Sequence, residues 1–202
     1  MKSLVKTITA YSFNELDEFA RDKAKQSVLE KEHLPEFFSE DLRETLKTDF
    51  GLYHLNTYFS ISSCQGDGLC LYGAITVSEL FSNSKFTKIA FNGIHHKQIK
   101  SVYDVLQSID FTHTGSYYHS KSVKIESYEY DPTEKQMAII EKVISNVTAW
   151  YFTFCKEWEK RGYAYFYEIS DENMQWVCNA YDYMFTKDGK CVDTNVYLEM
   201  TA

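Results

Sequence analysis

Leu55-Asn56-Thr57-Tyr58-Phe59-Ser60-Ile61-Ser62-Ser63-Cys64-Gln65-Gly66-Asp67-Gly68-Leu69-Cys70-Leu71-Tyr72-Gly73-Ala74-Ile75 is where the pattern of the chain turns to a period of two. Leu55, Thr57, Phe59 and Ile61 alternate with Asn56, Tyr58, Ser60 and Ser62, and Leu69, Leu71, Gly73 and Ile75 resume the alternation. Successive side chains of a strand point to opposite faces, so both runs read as strands. The glycine-containing segment between them predicts a hairpin with a wide turn. A second pair follows: Ile109, Phe111 and His113, then Val123, Ile125 and Ser127, with Gly115–Ser120 at the tip.

Helical patterns lie on either side of these hairpins. Leu4–Tyr11 reads as an opening strand, and Ser12 with Glu15 fits a capping box, Asp17 being the rival cap. Leu16, Phe19, Ala20, Ala24 and Val28 recur at helical spacing, Pro35 closes that unit, and Phe38, Leu42 and Leu46 mark a second helix ending near Gly51. Residues 76–107 give mixed signals, with Ile99, Val102, Tyr103 and Leu106 suggesting a helix after a loop at Asn92-Gly93. Asp131-Pro132-Thr133-Glu134 starts the longest amphipathic stripe, Met137 to Trp158, which Gly162 should weaken or end. Ser170-Asp171 caps a further helix, and Asp188-Gly189 signals a type I′ hairpin. Strand pairs with grouped helices make an α+β fold: an antiparallel sheet built from hairpins, helices packed on it. No linker or repeat divides the chain, so 1–202 reads as one domain with a C-terminal hairpin around 183–197.

Composition sets limits on function. At 202 residues with 44% hydrophobic and 16% aromatic content, the chain can bury a core without staples. The net charge of −8 argues against generic phosphate-backbone binding, and no stretch has the length of a membrane span. The first residues lack the apolar core of a secretory signal. Five cysteines with no CxxC pair read as reduced thiols, so neither a zinc cluster nor any other cofactor is expected. Charge is uneven: residues 12–49 carry eleven acids against six bases, whereas 84–124 carry six lysines against two aspartates, with four histidines.

Two clusters could carry chemistry. Gln65-Gly66-Asp67-Gly68 combines glycine freedom with a carboxylate that can lock the turn or hold a ligand. The spaced acids of a calcium loop and the GK[ST] of a phosphate loop are both missing. His113, Gly115, Tyr117, Tyr118 and His119 form the other. If the protein is an enzyme, Asp67, His113 and His119 are its catalytic candidates, with Cys64 or Cys70 paired to an imidazole as a further option. Tyrosines contribute large amphipathic contact area, which favours an interface, and no third ligand is fixed for a metal. His95-His96 reads as solvent-exposed loop.

Taken together, Tyr11-Ser12-Phe13-Asn14-Glu15-Leu16, Gln65-Gly66-Asp67-Gly68, His113-Thr114-Gly115-Ser116-Tyr117-Tyr118-His119-Ser120 and Tyr183–Lys190 resemble a family of small bacteriophage and prophage proteins, some labelled toxin–antitoxin-like. Cys64 stands where serine is usual in that pattern, and Leu69 where alanine is usual. The resemblance implies phage origin, action in the bacterial cytoplasm and an accessory role, and it transfers no catalytic residue. With the acidic charge, it leads to the expectation of a non-enzymatic inhibitor of a host nucleic-acid-targeting defence system, of the CRISPR or restriction type. Binding is assigned to Gln65, Asp67, Tyr117, Tyr118 and His119, and to the acids Glu15, Asp17, Glu18, Glu36, Glu40 and Asp41. The partner is then a host protein or ribonucleoprotein, with no direct nucleic-acid or membrane contact. The alternatives are a hydrolase or modifying enzyme using the Asp/His residues, and an antitoxin-like binding partner.

Overall fold

The structure, a computed structural model, describes residues 8–31, 34–61, 67–167 and 169–192. Its elements are α and β in the expected α+β arrangement. Contacts gather the chain into two compact units. One unit spans Glu36–Tyr163, and the other joins Met1–Pro35 to Ala164–Ala202.

The Glu36–Tyr163 unit is built on a four-stranded antiparallel sheet in sequence order: β1 (Leu55–Ser60), β2 (Gly68–Thr76), β3 (Leu106–His113) and β4 (Val123–Glu129). Both hairpins predicted by alternation are present, with Tyr58 opposite Cys70 and Phe111 opposite Ile125. Unlike a one-sided strand, β2 buries Leu69, Cys70 and Leu71 alike. α2 (Leu34–Phe50) ends where Gly51 takes a left-handed φ of 70°, and Pro35 sits in its first turn instead of closing the preceding helix.

The stretch 76–107, whose sequence signals are mixed, contains three short helices, α3 (Val77–Ser82), α4 (Ser84–Ala90) and α5 (His96–Val102). Leu106, read with the helical set, opens β3 instead. Each of these helices has a side-chain cap, from Thr76, Asn83 and His95. His95 therefore does more than face solvent: its Nδ1 accepts from the Lys97 N–H at 3.3 Å.

α6 (Glu134–Tyr167) lays Ile140, Val143, Val147, Tyr151 and Phe154 into the core. Its rings interlock edge-on with those of α2 and tilt onto β3: Phe50 with Trp150 at 5.3 Å, Phe38 with Trp158 at 5.5 Å, and Tyr151 with Phe111 at 5.4 Å. Within the Asp131-Pro132-Thr133-Glu134 start, the capping side chain is that of Thr133, which exchanges bonds with Gln136. Gly162 does not end the helix. A Cβ there would lie 2.1 Å from Ile61 Cδ1 and 3.1 Å from the Phe38 ring, so glycine is present for close packing.

In the second unit, Phe13, Leu16, Ala20, Ala24, Val28, Met174, Cys178 and Phe185 form the core. Both rival caps are used. Glu15 accepts from the Ser12 N–H and hydroxyl at a 3₁₀ turn, while Asp17 accepts from the Ala20 N–H to start α1 (Glu18–Lys31). Ser170 caps α7 (Asp171–Ala180) as predicted. Of the opening strand, residues up to 7 lie outside the described residues, and Tyr11 makes a single bridge to Phe185. The C-terminal hairpin pairs β5 (Met184–Phe185) with β6 (Cys191–Val192), and residues from 193 on lie outside the description. Its turn is not type I′: that type needs positive φ at two residues, and only Gly189, at φ 83°, has it. The Thr186 N–H to Lys190 carbonyl bond closes the loop, and a Cβ at Gly189 would meet the Ala20 carbonyl.

Candidate functional site

On β1 and β2, Asn56 faces Tyr72 in register, which puts Tyr58 and Tyr72 diagonally on one side of the pair. Their rings stack at 4.2 Å and 12°. Tyr118, from the β3–β4 loop, lies on Tyr58 at 4.8 Å, and the His113 ring stands 6.1 Å from Tyr58 and 5.9 Å from Tyr118. Tyr58 is 38% exposed, Tyr118 40% and Tyr117 62%. Beside the Tyr58 hydroxyl, and through burial, the Tyr72 phenol titrates above its ordinary range. Sequence reasoning missed Tyr58 and Tyr72; the signal available was the pairing of aromatic residues on the polar face of a predicted hairpin.

The loop carrying Tyr117–His119 is tightly fastened. His113 Nε2–H donates to the Tyr117 carbonyl at 3.0 Å, and His119 Nδ1 accepts from the Lys121 N–H at 3.0 Å, so its neutral form carries the proton on Nε2. The Thr114 N–H donates to the Ser122 carbonyl at 2.7 Å, and the buried Tyr151 hydroxyl to that of Ser120 at 3.3 Å. Asp67 is a latch between elements. Its carboxylate accepts from Ser60 Oγ on β1 at 3.1 Å and from Tyr163 Oη on α6 at 3.0 Å.

The two sequence clusters do come together, through Gly68. A Cβ on Gly68 would lie 2.8 Å from the Tyr118 carbonyl oxygen and 3.0 Å from His119 Cα. Gly68→Val is accordingly expected to push this loop off β2 and separate Tyr118 from Tyr58, costing about 1–3 kcal/mol by overpacking. Nuclear Overhauser contacts between the two rings and a urea melt would check it; intact contacts at unchanged stability would refute the packing. Gln65 and Cys64 lie outside the described residues.

The acids divide. Glu15, Asp17 and Glu18 belong to the unit of the chain ends, where the first two serve as caps. Glu36, Glu40 and Asp41 are on α2, and Glu40 and Asp41 share one surface with Arg43 and Lys47. Thiol chemistry finds no support at the buried cysteines. Burial pushes Cys70 and Cys178 up to about 11 and Cys155 to about 12, leaving little thiolate at neutral pH. Among the described residues, no group of three or more His, Cys, Asp or Glu side chains could hold a metal, and no helix is long and apolar enough to cross a membrane.

A family model described as a domain of unknown function, DUF8835, matches residues 38–171. The chain belongs to that family. No curated protein and no solved structure matches it. The DUF8835 segment covers nearly the whole sheet-bearing unit, including the aromatic stack, Asp67, Gly68 and the Tyr117–His119 loop. Glu15, Asp17, Glu18 and Glu36 fall outside it, as does the C-terminal hairpin.

Proposed function

We propose that this chain works by binding rather than catalysis, as a bacteriophage accessory protein that inhibits a host nucleic-acid-targeting defence system of the CRISPR or restriction type in the cytoplasm of the infected cell. The observation that carries the reading is the Tyr58–Tyr72–Tyr118 stack. It presents exposed aromatic surface on a hydrogen-bonded sheet, so little conformational entropy is lost when a partner covers it. The candidate acid–base side chains are spent on the fold: Asp67 joins β1 to α6, His113 and His119 brace their own loop. The net charge of −8 adds attraction to the basic channels of nucleic-acid-cleaving machines, and the phage resemblance supplies the biological setting.

The experiment is a pull-down of purified CRISPR and restriction complexes with the full chain, followed by affinity measurement at rising salt. The double variant Tyr58→Ala with Tyr118→Ala should lose affinity at least about thirtyfold, as for paired hot-spot aromatics. Charge reversal is best placed at Glu18, Glu40 and Asp41, because Glu15 and Asp17 cap helical turns and their loss would perturb folding. Those reversals should flatten the salt dependence. Binding indifferent to both sets of substitutions, or turnover of a small compound by the purified chain, would remove the reading.

A further inference from the structure

One lysine of the basic stretch 84–124, Lys97, shares a cleft with two lysines of α6, Lys135 and Lys142. A cleft of about 670 Å³ opens between the start of α5 and the first turns of α6, both within the DUF8835 unit. Lys97 and Gln98 line one wall, Lys135 and Lys142 the other, and Ile94 and Ile139 supply an aliphatic lining. Lys97 and Gln98 are in the first turn of α5, Ile94 lies just before its cap, and 135, 139 and 142 fall on one face of α6.

Lys25, Lys85 and Lys124 each sit against an acid, Asp171, Asp49 and Glu126 in turn. Among the described residues, Lys97, Lys135 and Lys142 meet no carboxylate, and no acid lines the cleft. The Lys142 ammonium donates to the Gly93 carbonyl at 2.6 Å, which leaves two of its three donors available. Gln98 accepts from the His95 N–H through Oε1, so its amide N–H groups are also free to donate. The walls are fixed: Gln136 Nε2 donates to the Ser101 carbonyl at 2.7 Å, and Asn146 Nδ2 to the Ala90 and Asn92 carbonyls at 3.0 Å.

We propose that this cleft binds a small phosphomonoester with an aliphatic body. Three lysines lining one cleft with no acid among its lining residues call for an anion. Lysine acts on phosphate as a point charge, whereas planar carboxylates are matched by the arginine fork, and no arginine lines the cleft. Among the described residues no aromatic ring lines the cleft to stack a base, so the body beside the phosphate is aliphatic. The inference does not depend on the partner proposed above.

Titration of the full chain with n-butyl phosphate, inorganic phosphate and adenosine monophosphate, followed by calorimetry and amide chemical shifts, tests it. Butyl phosphate is expected to saturate, to shift amides at 93–98 and 135–142, and to bind more tightly than either other probe. Lys97→Gln combined with Lys135→Gln should weaken it at least about tenfold, in line with the loss of two charge-assisted contacts. Both side chains are exposed, so an unchanged melting temperature would show that folding is intact. Absence of saturation, equal affinity in the double variant, or equal affinity for inorganic phosphate would overturn the proposal. Capture by phosphatidic acid vesicles without saturation by butyl phosphate would overturn it too, since the ligand would then be a lipid surface.

Discussion

Glu79→Ala should destabilise the protein by about 3–4 kcal/mol, because it deprives several partly buried donors of one carboxylate. Glu79 is 5% exposed and stands in the first turn of α3. Its Oε1 accepts from the Tyr53 N–H at 2.6 Å and the His54 N–H at 3.2 Å, with His54 Nδ1 at 3.0 Å. Its Oε2 accepts from the Thr76 N–H and hydroxyl, each at 2.9 Å, completing a capping box with the Thr76 side chain. One side chain thus joins the chain entering β1 to the end of β2 and the start of α3. Water cannot take over all of these bonds in a site this closed, which is why the loss exceeds that of an ordinary cap.

The same group sets an acid limit. Burial opposes ionisation of Glu79, but the backbone N–H groups of Thr76 and Tyr53, then His54 and the Thr76 hydroxyl, outweigh it and hold the carboxyl below the ordinary glutamate value. A depressed folded-state value means the unfolded chain takes up the proton first. The stabilisation is therefore complete above about pH 4.5, the unfolded value, and disappears as pH falls through the folded one. Thermal melts from neutral to acid pH should show the wild type losing stability through this window, and Glu79→Gln, weaker at neutral pH by about 1–2 kcal/mol, losing less of it. A Glu79→Gln curve parallel to that of the wild type would show that the carboxylate charge has no such role.

The elements that could be read from sequence are those whose signal is local. Alternation at 55–61, 69–75 and 109–113 gave the sheet, and Ser12, Asp17 and Ser170 were visible as caps because a cap bonds within three residues. Between 76 and 107 the helices are too short for periodicity to emerge, yet Thr76-Val77-Ser78-Glu79 carries a capping box that could have placed α3. The role of Gly162 is not legible locally because it depends on Ile61 and Phe38, far away along the chain. The candidate site follows the same division. Tyr117, Tyr118 and His119 were legible as an unusual cluster, whereas Asp67 owes its position to Ser60 and Tyr163, and the lysine cleft needs two helices to meet. Composition disclosed the basic segment but not that one of its lysines, Lys97, shares a cleft with Lys135 and Lys142.

Gly73→Ala tests the junction from its other side and should cost about 3 kcal/mol, the sum of a strained backbone and a clash that cannot relax. Gly73 has φ 124°, where side chains other than hydrogen are rarely found, and its Cβ would stand 2.5 Å from the His54 carbonyl oxygen. That oxygen is a poor candidate for movement. Leu55, the next residue, is paired with Gly73 itself, and the His54 N–H is held by Glu79. Gly93→Ala provides the comparison: φ is 67°, also left-handed, but the nearest atom to its Cβ is the mobile end of Lys142 at 3.1 Å. Only the conformational cost remains there, about 1 kcal/mol. Denaturant melts of the two variants should therefore differ by about 2 kcal/mol, whereas equal losses would mean that φ alone matters and that β1 can yield to β2. If it cannot, the register that sets Tyr58 beside Tyr72 is fixed at this glycine, and Gly73→Ala should also reduce the partner binding proposed for the stacked tyrosines while leaving unchanged the phosphomonoester binding proposed for the lysine cleft.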